Sequence, residues 1–185
     1  MRRISATFSI YLFLCIPLTA FGAEISGPET EIVNHSLQVT TGLLLDEKNL
    51  NDLKNGIAKE ITFYLDIYRV WHVWPDEFVA GKKIVITLKD DPVKNEYIAT
   101  SFNGSTLAKK RFKDLEAMLA WALNIKDLSL IHINDLEAGT FFVRVIAEAR
   151  LRTLPPVIGY LLFFVPEKEF TVKKDSALFS IGAAQ

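Results

Sequence analysis

The chain is poor in the residues that carry common chemistries. One cysteine, Cys15, and three histidines occur in 185 residues, and only nine glycines and seven prolines interrupt the chain. Cys15 lies inside an N-terminal apolar run, so the chain that follows has no disulfide, no thiol nucleophile and no thiolate metal site. His35, His72 and His132 stand far apart, with no pair at the three- or four-residue spacing that seats zinc on one helix face. No Gly-x-Ser-x-Gly elbow and no phosphate-cradling glycine loop is present. A large charge of one sign is also missing: the formal net charge is −1, and the basic residues are scattered, which argues against nucleic acid as a partner. Internal repeats, low-complexity linkers and apolar runs of the roughly 20 residues that cross a bilayer are lacking too. These absences predict no metal, no cofactor and a single domain held by its core alone.

Met1-Arg2-Arg3 is a basic start, Phe8 to Leu18 an apolar run, and Ala20-Phe21-Gly22 supplies small residues at the spacing signal peptidase requires. Residues 1–22 are therefore expected to be a secretory signal cleaved after Gly22, placing residues 23–185 in the periplasm as one β-rich domain. The alternative is an uncleaved segment that tethers the protein to the inner membrane. Losing Arg2 and Arg3 with the segment takes the formal charge to about −3.

The chain is organised around Ile57 to Trp74. Ile61, Phe63, Leu65, Ile67, Trp71 and Val73 fall on one parity, Thr62, Tyr64, Asp66, Tyr68, His72 and Trp74 on the other. A period of two in β-branched and aromatic residues predicts one long strand with an apolar face. Before it, Glu31 to Leu45 reads as a first strand, and Asp46 as the N-cap of a short helix stopped by Asn55-Gly56. After it, Ala80-Gly81 reads as a turn into the strand Lys83 to Lys89, and Asp90-Asp91-Pro92 as the next turn. Asn103-Gly104 reads as a type I′ hairpin turn between Glu96 to Phe102 and Thr106 to Phe112. Asp114 caps a second helix whose Leu115, Met118, Leu119 and Ala122 share a face. Leu128 to Ile133 and Phe141 to Leu151 are further strands, the latter with Arg144, Glu148 and Arg150 on a wet face. Val157 to Val165, bracketed by Pro155-Pro156 and Pro166, is the most apolar stretch after the signal, and Glu167 to Ile181 ends the chain as a hairpin or edge strand. The predicted fold is mostly β (α+β), an antiparallel sandwich-like domain with two short amphipathic helices.

Several segments carry a resemblance: Asn55-Gly56-Ile57 leading into Phe63-Tyr64-Leu65-Asp66-Ile67-Tyr68-Arg69, then Trp74-Pro75-Asp76-Glu77, Glu96-Tyr97, and Ala149-Arg150-Leu151-Arg152-Thr153-Leu154-Pro155-Pro156. Over most of Glu31 to Ile181 the chain resembles an uncharacterised family of exported bacterial proteins, domain-of-unknown-function family 4390. Members are described beside two-component sensor kinase genes, so the resemblance implies envelope signalling and carries over no catalytic residue. The strongly apolar Val157 to Val165 departs from the family pattern.

Two surfaces stand out. Tyr64, Asp66, Tyr68, His72 and Trp74 share a strand face, where rings flanked by a carboxylate and an imidazole could hold a small ligand or glycan. The competing reading packs the rings under a helix or loop and pairs Asp66 with a neighbouring strand's arginine. Val157, Leu161, Leu162 and Phe164 are core if buried, and a docking patch for an envelope protein or the membrane, through 154–166, if exposed. Arg69, at an apolar-parity position, is expected to reach out from the sheet end with Trp71 over its stem, or to pair with a buried acid. Lys109-Lys110-Arg111 reads as a solvated strand or a basic partner patch. The leading expectation is a non-catalytic periplasmic interaction module with an envelope protein partner. A small-ligand or glycan receptor and a hydrolase with a spatially assembled site are the alternatives.

Overall fold

A computed structural model describes residues 22–151 and 168–182. The signal-like segment up to Phe21, and Val157, Leu161, Leu162 and Phe164, lie outside the described residues. In chain order the strands are β1 (Glu24–Val33), β2 (Ser36–Leu44), β3 (Lys59–Arg69), β4 (Glu77–Asp91), β5 (Glu96–Phe102), β6 (Leu107–Phe112), β7 (Asn124–His132), β8 (Gly139–Leu151), β9 (Lys168–Asp175) and β10 (Phe179–Ile181). Helix α1 (Glu47–Lys54) precedes β3, and α2 (Leu115–Ala122) precedes β7. Every pairing is antiparallel. A three-stranded sheet, β1-β2-β7, packs on a larger one ordered β10-β8-β3-β4-β5-β6, with β9 on the same edge of β8 as β10. This is the expected sandwich-like β fold with two short helices.

The core forms where the odd parity of β3 meets that of its neighbours. Ile61, Phe63, Leu65 and Ile67 are fully buried, paired across to Ile84 and Ile86 on β4 and to Val143, Val145, Ala147 and Ala149 on β8. Leu37, Val39 and Leu43 of β2 close it from the other sheet. Each large side chain so buried stabilises by about 1.5–3 kcal/mol, which makes β3 the anchor of the fold. The sheets are also stitched at their edges: Lys174 Nζ donates to Ile25 O at 3.0 Å and Lys82 Nζ to Ser129 O.

Both helix caps form as the residue types predict. Asp46 Oδ1 accepts from Asn49 N at 2.8 Å, and Asp114 Oδ2 from Ala117 N at 2.9 Å. Gly56, at φ 81°, ends α1 with Ile57 N donating to Asp52 O and Gly56 N to Leu53 O, the paired bonds of a Schellman stop.

Four expectations need correction. The predicted strand through Trp74 ends at Arg69, because β8 begins at Gly139 and the last rung is Val70 N to Thr140 O at 2.8 Å. Beyond that rung no partner holds the alternation, so Trp71 and Val73 are exposed and not core. Ala80-Gly81 is no turn but the middle of β4, which runs unbroken for 15 residues. Glu31 to Leu45 is not one strand: Asn34 and His35, at φ 49° and 59°, make a two-residue turn between Val33 and Ser36, as a type I′ hairpin requires. At Asn103-Gly104 the hairpin is present but its loop has four residues, since Phe102 pairs with Leu107 and Asn103 Oδ1 accepts from the amides of Ser105 and Thr106.

Candidate functional site

Only three of the five residues expected to share a face do so. Tyr64, Asp66 and Tyr68 lie on the outward side of β3, and His72 and Trp74 lie beyond it in the β3–β4 loop, residues 70–76. Tyr68 is packed by its neighbours: it stacks on Phe142 of β8 (centroids 5.4 Å apart, 14° between planes) and meets Phe78 of β4 edge-on at 5.9 Å. The Arg144 guanidinium lies 5.0 Å from the Tyr68 ring centre and 5.1 Å from that of Phe142, and forks onto Asp175 with two 2.8 Å bonds. That fork holds the Asp175 carboxyl below its ordinary pKa, and Asp175 in turn raises Arg144. Tyr68 is thus packed, but by rings of the two adjacent strands and not under a helix or loop, and the arginine expected to pair with Asp66 is taken instead by Asp175.

Asp66 stands between Arg144 on β8 and Gly81 on β4. Its carboxylate lies across Gly81 so closely that a Cβ there would overlap it, which is why β4 carries a glycine at that rung. Among the described residues the Asp66 carboxylate makes no hydrogen bond, and Arg144 on the adjacent strand bonds to Asp175 instead. Burial raises its pKa and the nearby Arg144 charge opposes the rise.

The loop is the more open feature. Trp71 is 44%, Val73 85%, Trp74 74% and Phe78 56% exposed, a concentration of large apolar side chains within eight positions. Its base is fixed by polar contacts. The Trp71 indole donates to Glu77 Oε2 at 3.1 Å, folding the loop back towards β4. Arg69 Nη1 meets Glu137 Oε2 at 2.8 Å, Nη2 donates to Ala138 O at 2.8 Å, and the guanidinium lies 4.7 Å from the Trp71 ring centre. Arg69 leaves the sheet end beside Trp71, which lies against its guanidinium, and the acid it pairs with is exposed, not buried as the second alternative had it. Beside it is a cleft of about 260 Å³ lined by Arg69, Glu77, Phe78, Asp135, Leu136 and Phe141, among others.

Other candidates resolve into structure. Arg111 and Lys113 both reach Glu96, at 3.6 and 3.0 Å, and Lys113 chiefly depresses its pKa, as a solvated basic strand would show. His35 and His132, distant in sequence, come to neighbouring positions, since Ser36 pairs with His132 and Ile133 N donates to His35 O. Even so, no group of three or more His, Cys, Asp or Glu among the described residues could hold a metal ion. What sequence reasoning missed is Lys59. Buried at the start of β3, it places Nζ 2.6 Å from Asp52 Oδ2 of α1 and 2.7 Å from both carboxylate oxygens of Glu169 on β9. Its signal was parity: it shares the face of Ile61 and Phe63.

One family model matches the chain over residues 21–176. The chain belongs to that family, a domain of unknown function (DUF4390). The match takes in the aromatic loop, the cleft beside it and the Lys59 cage, so all three lie within the DUF4390 domain. No curated protein and no solved structure matches the chain.

Proposed function

We propose that this DUF4390 domain is a non-catalytic periplasmic interaction module that docks an envelope protein through its β3–β4 loop. The observation that carries the reading is the exposure of Trp71, Val73, Trp74 and Phe78 within eight positions, whereas the other exposed large apolar residues, Ile32, Leu44, Val93, Phe102, Leu107 and Leu178, are spread along the chain. Large apolar residues left in water on a rigid base are the usual energetic centre of a protein interface, and tryptophan leads among them. The hydrogen bond from Trp71 to Glu77 and the guanidinium against its ring order the loop in advance, which lowers the entropy cost of binding. The basic, apolar and small-residue order of the first 22 residues supports export to the envelope.

A small-ligand or glycan site has less in its favour. Stacking on a sugar needs free ring faces on one surface; Tyr68 is taken by Phe142 and Arg144 and Trp71 by Arg69, and Trp74, though exposed, stands in the loop off that strand face. A photo-crosslinking residue at Val73, compared in the native host with one at Val93, tests the proposal. Val93 is 92% exposed in the β4–β5 turn, at the opposite end of β4. A discrete protein adduct from position 73 and none from 93 is expected. No adduct, or the same adducts from both, would overturn it.

A further inference from the structure

The cleft next to the aromatic loop narrows the chemistry of the partner, and the inference rests on the docking role just proposed. At about 260 Å³ it falls below the usual size of a metabolite site and suits one long side chain. Four of its lining residues are apolar, Phe78, Val79, Leu136 and Phe141, the last two buried, and they offer contact for a hydrocarbon stem among charged neighbours. Its rim is acidic: Glu77, Asp135 and Glu137 contribute three carboxylates against the single guanidinium of Arg69. That guanidinium is already engaged, by Glu137 and the Ala138 carbonyl. Asp135 has neither an ion pair nor a hydrogen bond to its side chain among the described residues, and Glu77 uses one oxygen on the Trp71 indole. Apolar contact for a hydrocarbon stem and a carboxylate rim for a cationic head are what a snorkelling lysine or arginine needs.

We infer that the protein partner inserts a lysine or arginine side chain into this cleft while its apolar residues cover Trp74 and Val73. The occupant is a basic polypeptide segment. An anionic bilayer would meet the repulsion of Asp76, Glu77, Asp135 and Glu137, and a neutral sugar would leave Asp135 without a charged partner.

The probe is N-acetyl-arginine amide, titrated into the isotope-labelled purified protein and followed by amide NMR, with N-acetyl-citrulline amide as its uncharged isostere. Saturable shifts at Glu77, Phe78, Asp135 and Leu136 are expected with the arginine compound, at least about fivefold weaker with the citrulline compound. The variant Glu77→Gln/Asp135→Asn, both changes isosteric, should keep the amide dispersion of a folded chain and lose the difference between the two compounds. Equal response to both, or no shifts in the cleft, would overturn the inference. So would an adduct from position 73 that keeps its yield in the Glu77→Gln/Asp135→Asn background, and that result would leave the docking role standing. Absence of the adduct in the wild-type background removes the docking role itself. Vesicles rich in phosphatidylglycerol, if they alone shift the loop amides, replace the polypeptide by a membrane and overturn the inference as well.

Discussion

Lys59 and Arg69 are the first and last residues of β3, on the same inward parity, and the fold treats them in opposite ways. Lys59 is 1% exposed and caged by Asp52 and Glu169, so helix α1 and strand β9 are both tied to the start of the central strand. Arg69 leaves the core at the other end, lies against Trp71 and meets a glutamate that is 82% exposed. Burying an ammonium costs several kcal/mol, offset only by complete hydrogen bonding to carboxylates, and Lys59 has that. Arg69 remains close to water, so its contacts are weak and their worth is positional. A cation on the core parity of a strand needs either a cage or an exit. Here the caged end closes the sandwich, and the end with the exit carries the aromatic loop.

The largest effect should come from opening the cage. Lys59→Met leaves Asp52 and Glu169 with only the exposed Lys48, 3.9 and 3.4 Å away, as a cation, and unfolding by urea should show a loss of about 3–5 kcal/mol. A loss under about 1 kcal/mol would mean that water reaches the cage and that the two ends of β3 do not differ in kind.

The pH dependence sharpens the same contrast. The hydrogen bond from Lys59 is the chief cause that lowers the Asp52 pKa, with burial opposing it. A carboxyl with a depressed folded pKa contributes stability at any pH above its unfolded value of about 3.9, and loses that contribution as pH falls through the folded value. The gap in stability between wild type and Lys59→Met should therefore be widest near neutrality and shrink as pH drops below about 4. A gap that is constant down to pH 3 would exclude Asp52 as the coupled group.

The sequence carried the core of this fold because local pattern and tertiary need agree there. Ile61 to Ile67 and Phe141 to Ala149 alternate, their odd-numbered residues are all buried, and Asp46 and Asp114 cap the helices they precede. It could not carry features whose cause lies far along the chain. The end of β3 is set by where β8 starts, so alternation running on through Trp74 gave His72 and Trp74 a face they do not have. Gly81 looks like a turn residue and is a close-approach residue, because Asp66 lies across it. The partners of Lys59 come from positions 52 and 169, which no window on β3 contains. Of the loop end, the aromatic residues were visible as types, but Phe78, Glu77 and Asp135 come together only once β4 and the segment before β8 are brought beside Arg69.

At the open end the effects should be small. Arg69→Ala removes one ion pair to an exposed acid, one backbone hydrogen bond and the cation beside Trp71, and should cost about 1 kcal/mol. Thermal unfolding would show this as a modest shift, far below that of Lys59→Met. A cost matching the Lys59 variant would mean that Glu137 and the loop are part of the sandwich's own stability, and the contrast between the ends would fail.

The smallest effect on stability should accompany the largest effect on docking. The Trp74 side chain is mostly in water, so Trp74→Ser removes little burial, and its melting should match wild type to within about 0.5 kcal/mol. If the loop is the interface, the same change removes a large apolar anchor whose burial on a partner is worth about 2 kcal/mol or more, and the adduct formed from position 73 should fall by at least tenfold. The two measurements move oppositely under the two possible roles of the side chain. A tryptophan needed for folding shifts the melt, and loses the adduct only as the protein unfolds; one kept for recognition leaves the melt in place and loses the adduct outright. Unchanged melting with unchanged crosslinking would show that Trp74 serves neither purpose, and would leave Trp71, Val73 or Phe78 as the anchor at this end.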